Sequence, residues 1–221
     1  MSKRPTGWSA RPLTERESRV RRSLIAALPL LTGAALLLQI HLGGSLGLLL
    51  LVAGLPLSLA AWLAWRGCSA AAQARLRRRA RVGALAGACA TSAYDAVRWL
   101  MLRVFELQFQ PFDIFPIFGR LLLGPQAAAV PAWVAGVLFH ACNGVGFAVA
   151  YTLVFSRRGV LAGIAWALTL EAIMLVVYPS WLHIRALGEF RAVSLVGHFS
   201  YGGVLGGLAR RWLGSEPGGG G

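Results

Sequence analysis

Two carboxylates and two imidazoles lie in apolar stretches of this chain that are long enough to cross a membrane. Asp95 and Glu171 supply the carboxylates, and His140 and His198 supply the imidazoles. A charged side chain at mid-bilayer costs about 2.5–3.5 kcal/mol on insertion scales, so such residues face the interior of a helix bundle and find partners there. We therefore expect the four groups to share a central layer of the bundle, where they could bind protons, ions or small polar solutes.

The two acids differ in the partners that the sequence offers them. Arg98 follows Asp95 by three residues, which is the spacing of an ion pair within one helix, and that pair could be purely structural. Glu171 has no basic residue within four positions of itself. We expect Glu171 to be protonated or to pair with a histidine or arginine from another helix, and we regard it as the strongest functional candidate.

The two histidines have a structural and a functional interpretation. His140 and His198 could hold helices together as neutral hydrogen-bonding groups, or they could take part in a proton relay. Asn143 and Tyr201 each follow one of these histidines by three residues, and so lie one turn further along the same helix face. We interpret Asn143 and Tyr201 as hydrogen-bond partners in the same binding site.

The same four groups also make a ligand set that suits iron, zinc or manganese. If a metal is bound, its ligands are expected to be His140, Glu171, His198 and Asp95. None of the four takes part in a compact ligand spacing such as HxxxH or ExxH. The sequence therefore indicates no cofactor, and a metal site would depend on the three-dimensional arrangement alone.

The composition is that of an all-α integral membrane protein. Of the 221 residues, 57% are hydrophobic and 14% are charged, and the mean hydropathy is +0.62. Soluble domains carry about 25% charged residues, and a helix crosses a bilayer with roughly 20 apolar residues. The sequence predicts six transmembrane helices, at residues 23–41, 45–65, 83–106, 128–155, 159–178 and 190–209.

Basic residues are distributed unequally between the two sides of the predicted membrane. Of the 22 Lys and Arg residues, 17 precede span one, follow span six, or lie between spans two and three or four and five. Because cytoplasmic loops are enriched in Lys and Arg, we expect both termini in the cytoplasm of a bacterium whose cytoplasmic (inner) membrane holds the protein. The net charge of +14 then indicates contact with anionic lipid headgroups and not nucleic-acid binding.

The predicted chain consists of a peripheral helical hairpin and a four-helix core. Its segments are a basic cytoplasmic arm (1–22), a transmembrane hairpin (23–65), a basic cytoplasmic loop (66–82), a first core hairpin (83–155), a second core hairpin (156–213) and a flexible tail (214–221). The first core hairpin includes an aromatic outer loop at 107–127.

The two core hairpins resemble each other and are predicted to be tandem repeats. The matched positions are, at an offset of 76 residues, Gly83 with Gly159, Gly87 with Gly163 and Asp95 with Glu171, and, at an offset of 58, His140 with His198, Asn143 with Tyr201 and Gly144 with Gly202. Both hairpins run in the same direction, so they would be parallel repeats related by an axis along the membrane normal. Chance similarity between spans rich in Ala, Leu and Gly is the alternative.

Two amphipathic loops lie on the side opposite the basic residues. Residues 107–127 hold phenylalanines, which suit the headgroup boundary, and prolines, which are expected to break the loop into short turns. Residues 178–191 form the second loop. The polar lid candidates in these loops are Asp113, Arg120, His183 and Arg185. The loops either anchor the bundle at the interface or cover the mouth of the polar cluster.

Three functions are compatible with these features. The residues favour binding or translocation of a proton, ion or small polar solute at the acid–histidine cluster. A metal-assisted intramembrane enzyme acting on a lipid or quinone-like substrate is an alternative, which the missing ligand motifs disfavour. The third is a non-catalytic membrane subunit whose polar core only specifies assembly. In each case a homo-oligomer or a larger membrane complex is compatible with so short a chain.

Overall fold

Every regular element in the described residues is helical. The computed structural model describes residues 15–155 and 158–214, so most of the predicted arm (1–22) and tail (214–221) lies outside the described residues. Its eight α-helices are α1 (Glu15–Ala27), α2 (Leu31–Leu42), α3 (Leu46–Arg66), α4 (Ala70–Phe105), α5 (Ile114–Leu123), α6 (Ala129–Phe155), α7 (Val160–Trp181) and α8 (Leu187–Leu213). A short 3-10 turn, Leu28–Leu30, joins α1 to α2.

Five helical stretches in the described ranges are long and apolar enough to cross a membrane. They are Arg19–Leu42, Leu46–Arg66, Ala129–Phe155, Val160–Trp181 and Leu187–Leu213. The prediction of an all-α membrane protein with several spans is confirmed at this level. The other predicted span, 83–106, falls on the second half of α4, which ends at Phe105, is 36 residues long and is not among the five.

Helix α4 begins earlier than the sequence interpretation placed its span. Of the segment 66–82, which was predicted as a basic loop, only the turn 67–69 lies outside the helices. The Ser69 hydroxyl accepts a hydrogen bond from the Ala72 backbone N–H at 3.3 Å, which caps the first turn of α4. The residues that follow are mostly Ala, Arg and Leu, which have high helix propensity, so the basic cluster extends α4 as a helix.

Basic side chains of α1 and α4 lie at one end of the bundle, which we call the arginine-rich end. Arg21 on α1 donates to the carbonyl of Gly67, which follows α3. Arg78 Nη2 on α4 donates to the carbonyl of Trp212 near the end of α8 at 3.0 Å. These guanidinium groups therefore satisfy carbonyls that the helix C-termini leave without intrahelical partners.

Glycines allow two pairs of core helices to approach closely. A Cβ added to Gly87 on α4 would lie 2.9 Å from the Val145 Cα on α6. A Cβ added to Gly163 on α7 would lie 2.8 Å from the Gly206 Cα on α8. Small residues at such crossings let helix backbones pack together within a membrane, where hydrophobic exclusion from water does not drive association.

The core helices form a chain of contacts that is open on one side. Helix α4 packs against both α6 and α8, and α7 packs against α8, whereas α6 and α7 have little direct contact. The first hairpin packs beside this gap: Leu36 of α2 and Leu46 of α3 are buried with Phe118 of α5 and Phe139 of α6. The predicted peripheral hairpin thus forms one wall of the interior.

The predicted outer loop 107–127 contains a helix that runs back along α6. A Cβ on Gly119 of α5 would overlap the backbone of Ala132, and one on Gly136 of α6 would overlap the backbone of Phe115. This crossing leaves room for hydrogen alone at both positions. Pro111 and Pro125 lie in turns, as expected, whereas Pro116 lies in the first turn of α5, where its missing N–H is not needed.

The crossing of α7 and α8 generates a paired test at neighbouring glycines. A Cβ on Gly202 would lie 2.6 Å from the Gly163 carbonyl oxygen, whereas a Cβ on Gly203 has open space within 4 Å. We expect Gly202→Ala to lower the free energy of unfolding by about 1–3 kcal/mol through overpacking. Gly203→Ala should leave it unchanged or slightly raised. Thermal unfolding midpoints in detergent measure the difference, and equal midpoints would contradict the described packing.

Candidate functional site

Asp95 on α4 faces His140 on α6. The His140 Nε2 atom lies 3.2 and 3.1 Å from the two carboxylate oxygens of Asp95. From the other side, Arg98 Nη1 donates to Asp95 Oδ1 at 3.1 Å. These three side chains form one hydrogen-bonded group, which we call the Asp95 network. The guanidinium charge of Arg98 balances the carboxylate charge within this network.

Arg98 is almost fully buried, and its contacts explain how a guanidinium is tolerated there. It is 6% exposed, and its Nη2 donates to the Pro111 carbonyl oxygen at 2.7 Å. Its Cζ lies 4.6 Å from the ring centroid of Tyr94 and 5.2 Å from that of Phe112, so aromatic faces cover the cation. Arg98 therefore connects Asp95 to the segment that leads into α5.

Glu171 on α7 pairs with two groups of α8. The Ser194 hydroxyl donates to Glu171 Oε2 at 2.7 Å, and His198 Nδ1 lies 2.9 Å from the same oxygen. His198 Nδ1 also lies 2.9 Å from the Ser194 carbonyl oxygen, which can only accept, so we assign the proton to Nδ1. We call these three residues the Glu171 network. Glu171 is 1% exposed, and its Oε1 is buried without a hydrogen-bond partner.

The four predicted titratable groups thus form two pairs and not one cluster. Tyr94 lies between the pairs, with its ring centroid 5.9 Å from that of His140 and 5.0 Å from that of His198. Within 15–155 and 158–214, no three His, Cys, Asp or Glu side chains are grouped so that they could hold a metal ion. The ligand set in which Glu171 and Asp95 would join both histidines is therefore not assembled.

Both networks border a large cavity in the gap between α6 and α7. The cavity has a volume of about 980 Å³, and α2, α4, α5 and α8 complete its walls. Most of its lining side chains are apolar. Its polar lining from the core helices consists of Thr91, Tyr94, Arg98, His140, Asn143, Trp166, Thr169, Tyr178, Ser194, His198 and Tyr201. The two acids are not among the lining residues, so their partners face the cavity in their place.

Below the two networks, toward the arginine-rich end, several lining side chains have polar atoms without partners. They are Thr91 Oγ1, Asn143 Oδ1 and Trp166 Nε1. Tyr201 differs, because its hydroxyl donates to the Gly144 carbonyl oxygen at 2.6 Å. Buried polar atoms without a partner destabilise a fold by about 1–3 kcal/mol each. Three such atoms belong to side chains that line one cavity.

The four lid candidates divide into two groups. Asp113 and Arg185 are exposed and line the mouth of the cavity. Arg120 and His183 are exposed but do not line it. The structure therefore brings only the first two to the cavity.

The segment between α4 and α5 is held over the cavity from both sides. Arg98 binds the Pro111 carbonyl from below, as described above. Glu189 Oε2 at the start of α8 accepts a hydrogen bond from the Phe109 backbone N–H at 2.8 Å. The rings of Phe109 and Phe190 also pack edge to face, with centroids 5.3 Å apart. Non-helical backbone within a membrane protein is tolerated where it lines such a cavity.

Sequence reasoning missed several side chains that complete the site. Thr91 lies four residues before Asp95, and Ser194 lies four residues before His198. A spacing of four residues places both on the helix face of their titratable neighbour, so the sequence pattern could have indicated these two residues. Tyr94 could not be found in this way, because its position between the two histidines depends on how α4, α6 and α8 pack.

The chain matches no protein-family model, no curated protein and no solved structure. The chemistry of the site is therefore read from its geometry. The Asp95 and Glu171 networks offer histidines that can exchange protons, and the cavity offers room for a ligand beside them.

The burial of Glu171 generates a prediction about its partner. In His198→Leu, the Glu171 carboxyl loses its imidazole and stays buried, so we expect the free energy of unfolding to fall by about 3–5 kcal/mol. His140→Leu should destabilise less, because Asp95 keeps Arg98 and partial exposure. Adding Glu171→Leu to His198→Leu should recover part of the loss. Thermal unfolding in detergent tests this, and a double variant less stable than His198→Leu would refute the pairing.

Proposed function

We propose that this protein binds a small ligand in the cavity between its membrane-spanning helices, and that the two acid–histidine networks respond to protons there. The observation that carries this proposal is the cavity itself. It places His140, His198 and Arg98 beside a volume of about 980 Å³. Ligand pockets have volumes of about 300–1,000 Å³, so the cavity is of the size that encloses a small molecule.

The size of the cavity favours ligand binding over proton transfer alone. A water molecule in the liquid occupies about 30 Å³, so a simple proton path would need far less room. The polar side chains are few and lie at defined positions, which is the pattern of a site that orients a ligand.

The Asp95 network gives proton binding a route to the cavity mouth. Arg98 holds Asp95 and the Pro111 carbonyl at once. Protonation of Asp95 would remove the negative charge that faces the guanidinium, and the hold on the segment before α5 would weaken. Release of this segment would open the cavity toward the end opposite the arginines. This makes Asp95 the sensor and the segment 107–113 the gate in the proposed function.

We further propose that α4 supplies a sixth span, with both termini in the cytoplasm. Its polar residues Thr91 and Arg98 are buried in the bundle, whereas Leu85, Trp99 and Val104 are exposed and suit lipid. The helix has 36 residues, about 54 Å, so residues 83–105 suffice to cross while the basic start projects from the membrane. The arginine-rich end would then face the cytoplasm and its anionic headgroups, as expected for a bacterial inner membrane.

The proposal of two tandem repeats is supported by equivalent contacts in both hairpins. Each acid pairs with the histidine of its own hairpin, Asp95 with His140 and Glu171 with His198. The glycines also correspond: added Cβ atoms on Gly87 and Gly163 would meet residues of the following helix at matched positions. These positions are Gly144 and Ala148 for Gly87, and Gly202 and Gly206 for Gly163. The open gap between α6 and α7 has no counterpart between α4 and α8, so the repeats would be arranged asymmetrically.

The response to protons is tested through Trp166, which lines the cavity. Its emission is isolated as the difference between wild-type protein and Trp166→Phe. We expect this emission to change with pH, because protonation of either acid–histidine network alters the charge beside the cavity. The change should be lost in Asp95→Asn combined with Glu171→Gln, while Glu106→Gln, an exposed acid outside the cavity, serves as the control. If the Trp166 emission of the double variant depends on pH as it does in wild-type protein, the two networks are not the sensors.

Translocation is distinguished from binding alone in sealed proteoliposomes that contain a pH-sensitive dye. A translocating protein should acidify the lumen under an inward proton gradient, and Glu171→Gln should reduce the initial rate at least tenfold, since an amide cannot carry the proton. Glu106→Gln again serves as the control. Equal rates in Glu171→Gln and wild-type protein would contradict a role for this carboxyl in transport. The absence of any acidification above empty liposomes would leave binding as the function.

A further inference from the structure

We propose that the ligand of the cavity is an uncharged amphiphile with a hydroxyl-bearing head group, and that it enters from the bilayer between α2 and α7. This inference rests on the proposed function, because it names the chemical class of the molecule that the cavity binds. Three features carry it: the apolar walls, the balanced charge of the lining, and the polar atoms left without partners.

The walls of the cavity are suited to a hydrocarbon chain. Leu37 of α2 faces Ile173 and Met174 of α7 across it, and Ile117 of α5 lines the same volume. A water-soluble solute would leave its hydration shell and gain little from such walls, because its polar groups outnumber the polar side chains that could replace water. A hydrocarbon chain has no hydrogen bonds with water to lose there, and burial of each of its methylenes from water is favourable by about 0.8 kcal/mol.

Apart from Asp113 and Arg185 at its exposed mouth, the charged and titratable side chains at the cavity are paired with one another. Arg98 offsets Asp95 in one network, and His198 faces Glu171 in the other. An anionic head group would find no free cation among these side chains, and a cationic one would find no free anion. Since an unpaired charge in an apolar interior is strongly destabilising, the lining selects a neutral head group.

The unpartnered polar atoms specify what this head group must offer. Trp166 Nε1 can only donate a hydrogen bond, whereas the Thr91 hydroxyl can donate or accept. The Asn143 side chain supplies an acceptor and a donor, and its Oδ1 is buried without a partner. Thr91 and Asn143 are 8% and 9% exposed, so bulk solvent does not satisfy them. A hydroxyl both donates and accepts, which matches this set better than a carbonyl, which only accepts.

The route of entry follows from where the cavity reaches the side of the bundle. Ala34 on α2 and Thr169 and Ile173 on α7 line the cavity and are also exposed on the flank of the helices. In a membrane this flank faces lipid. An amphiphile dissolved in the bilayer can therefore pass between α2 and α7 without crossing the aqueous mouth at Asp113 and Arg185.

A brominated long-chain alcohol tests the inference, because bromine quenches tryptophan on contact. In protein reconstituted in lipid nanodiscs, the alcohol should quench the Trp166 part of the emission saturably, measured as wild type minus Trp166→Phe. Unlabelled hexadecanol should compete, and hexadecanoate at a pH where it is ionised should compete at least tenfold more weakly. Equal competition by the carboxylate would overturn the neutral head group.

Substitutions in the lining test the polar contacts and the entry route separately. Thr91→Val and Asn143→Leu should each weaken binding of the alcohol about tenfold, the loss expected for one hydrogen bond. Ser180→Ala is the control, because this hydroxyl on α7 lies outside the cavity lining and donates to the Val177 carbonyl at 3.4 Å. Ala34→Phe should slow association, whereas Leu38→Phe, on the same helix outside the lining, should not. Unchanged binding in both polar variants, with melting curves that confirm folding, would overturn the head-group assignment.

The outcome also separates this inference from the proposed function. If the alcohol fails to quench saturably but a water-soluble probe such as glycerol or glucose shifts the Trp166 emission saturably, the amphiphile is ruled out and ligand binding in the cavity stands. If neither the alcohol nor the soluble probes act on Trp166, both proposals fall together.

Discussion

The need to balance charge inside an apolar helix bundle is the constraint on which the rest of this structure depends. Asp95 and Glu171 are tolerated because each meets a histidine from the next helix of its own hairpin. Arg98 is tolerated because a carboxylate, a carbonyl and two aromatic rings surround it. These requirements dictate which faces of α4, α6, α7 and α8 point inward, since any rotation would expose an unpaired charge to lipid.

Close packing and open space are complementary in this bundle. The glycines of α4 and α7 draw these helices against α6 and α8, and the α4–α8 contact joins the two hairpins. The remaining pair, α6 and α7, stays apart, so the cavity occupies the place of a fourth helix–helix contact. The two acid–histidine networks border this space.

Much of the fold could be predicted because the membrane limits the alternatives. Apolar periodicity and length indicated the helices, and the positions of arginines anticipated an end of the bundle where Arg21 and Arg78 reach helix C-termini. Helix α5 could not be predicted, because Pro116 and the aromatic residues around it suit a loop equally well. Its helix forms where Gly119 and Gly136 allow a contact across α6, and that contact is visible only in three dimensions.

The sequence alone indicated that the chain is an all-α membrane protein and that Glu171 and His198 lie inside its bundle, because a charged group in an apolar segment has no other stable location. It also identified the residue types that could form the site. Only the tertiary structure decided that these groups form two pairs and not one metal-binding cluster, since Tyr94 lies between His140 and His198. Whether four helices close on a common point or leave a cavity depends on side-chain packing between distant segments, which local sequence does not encode.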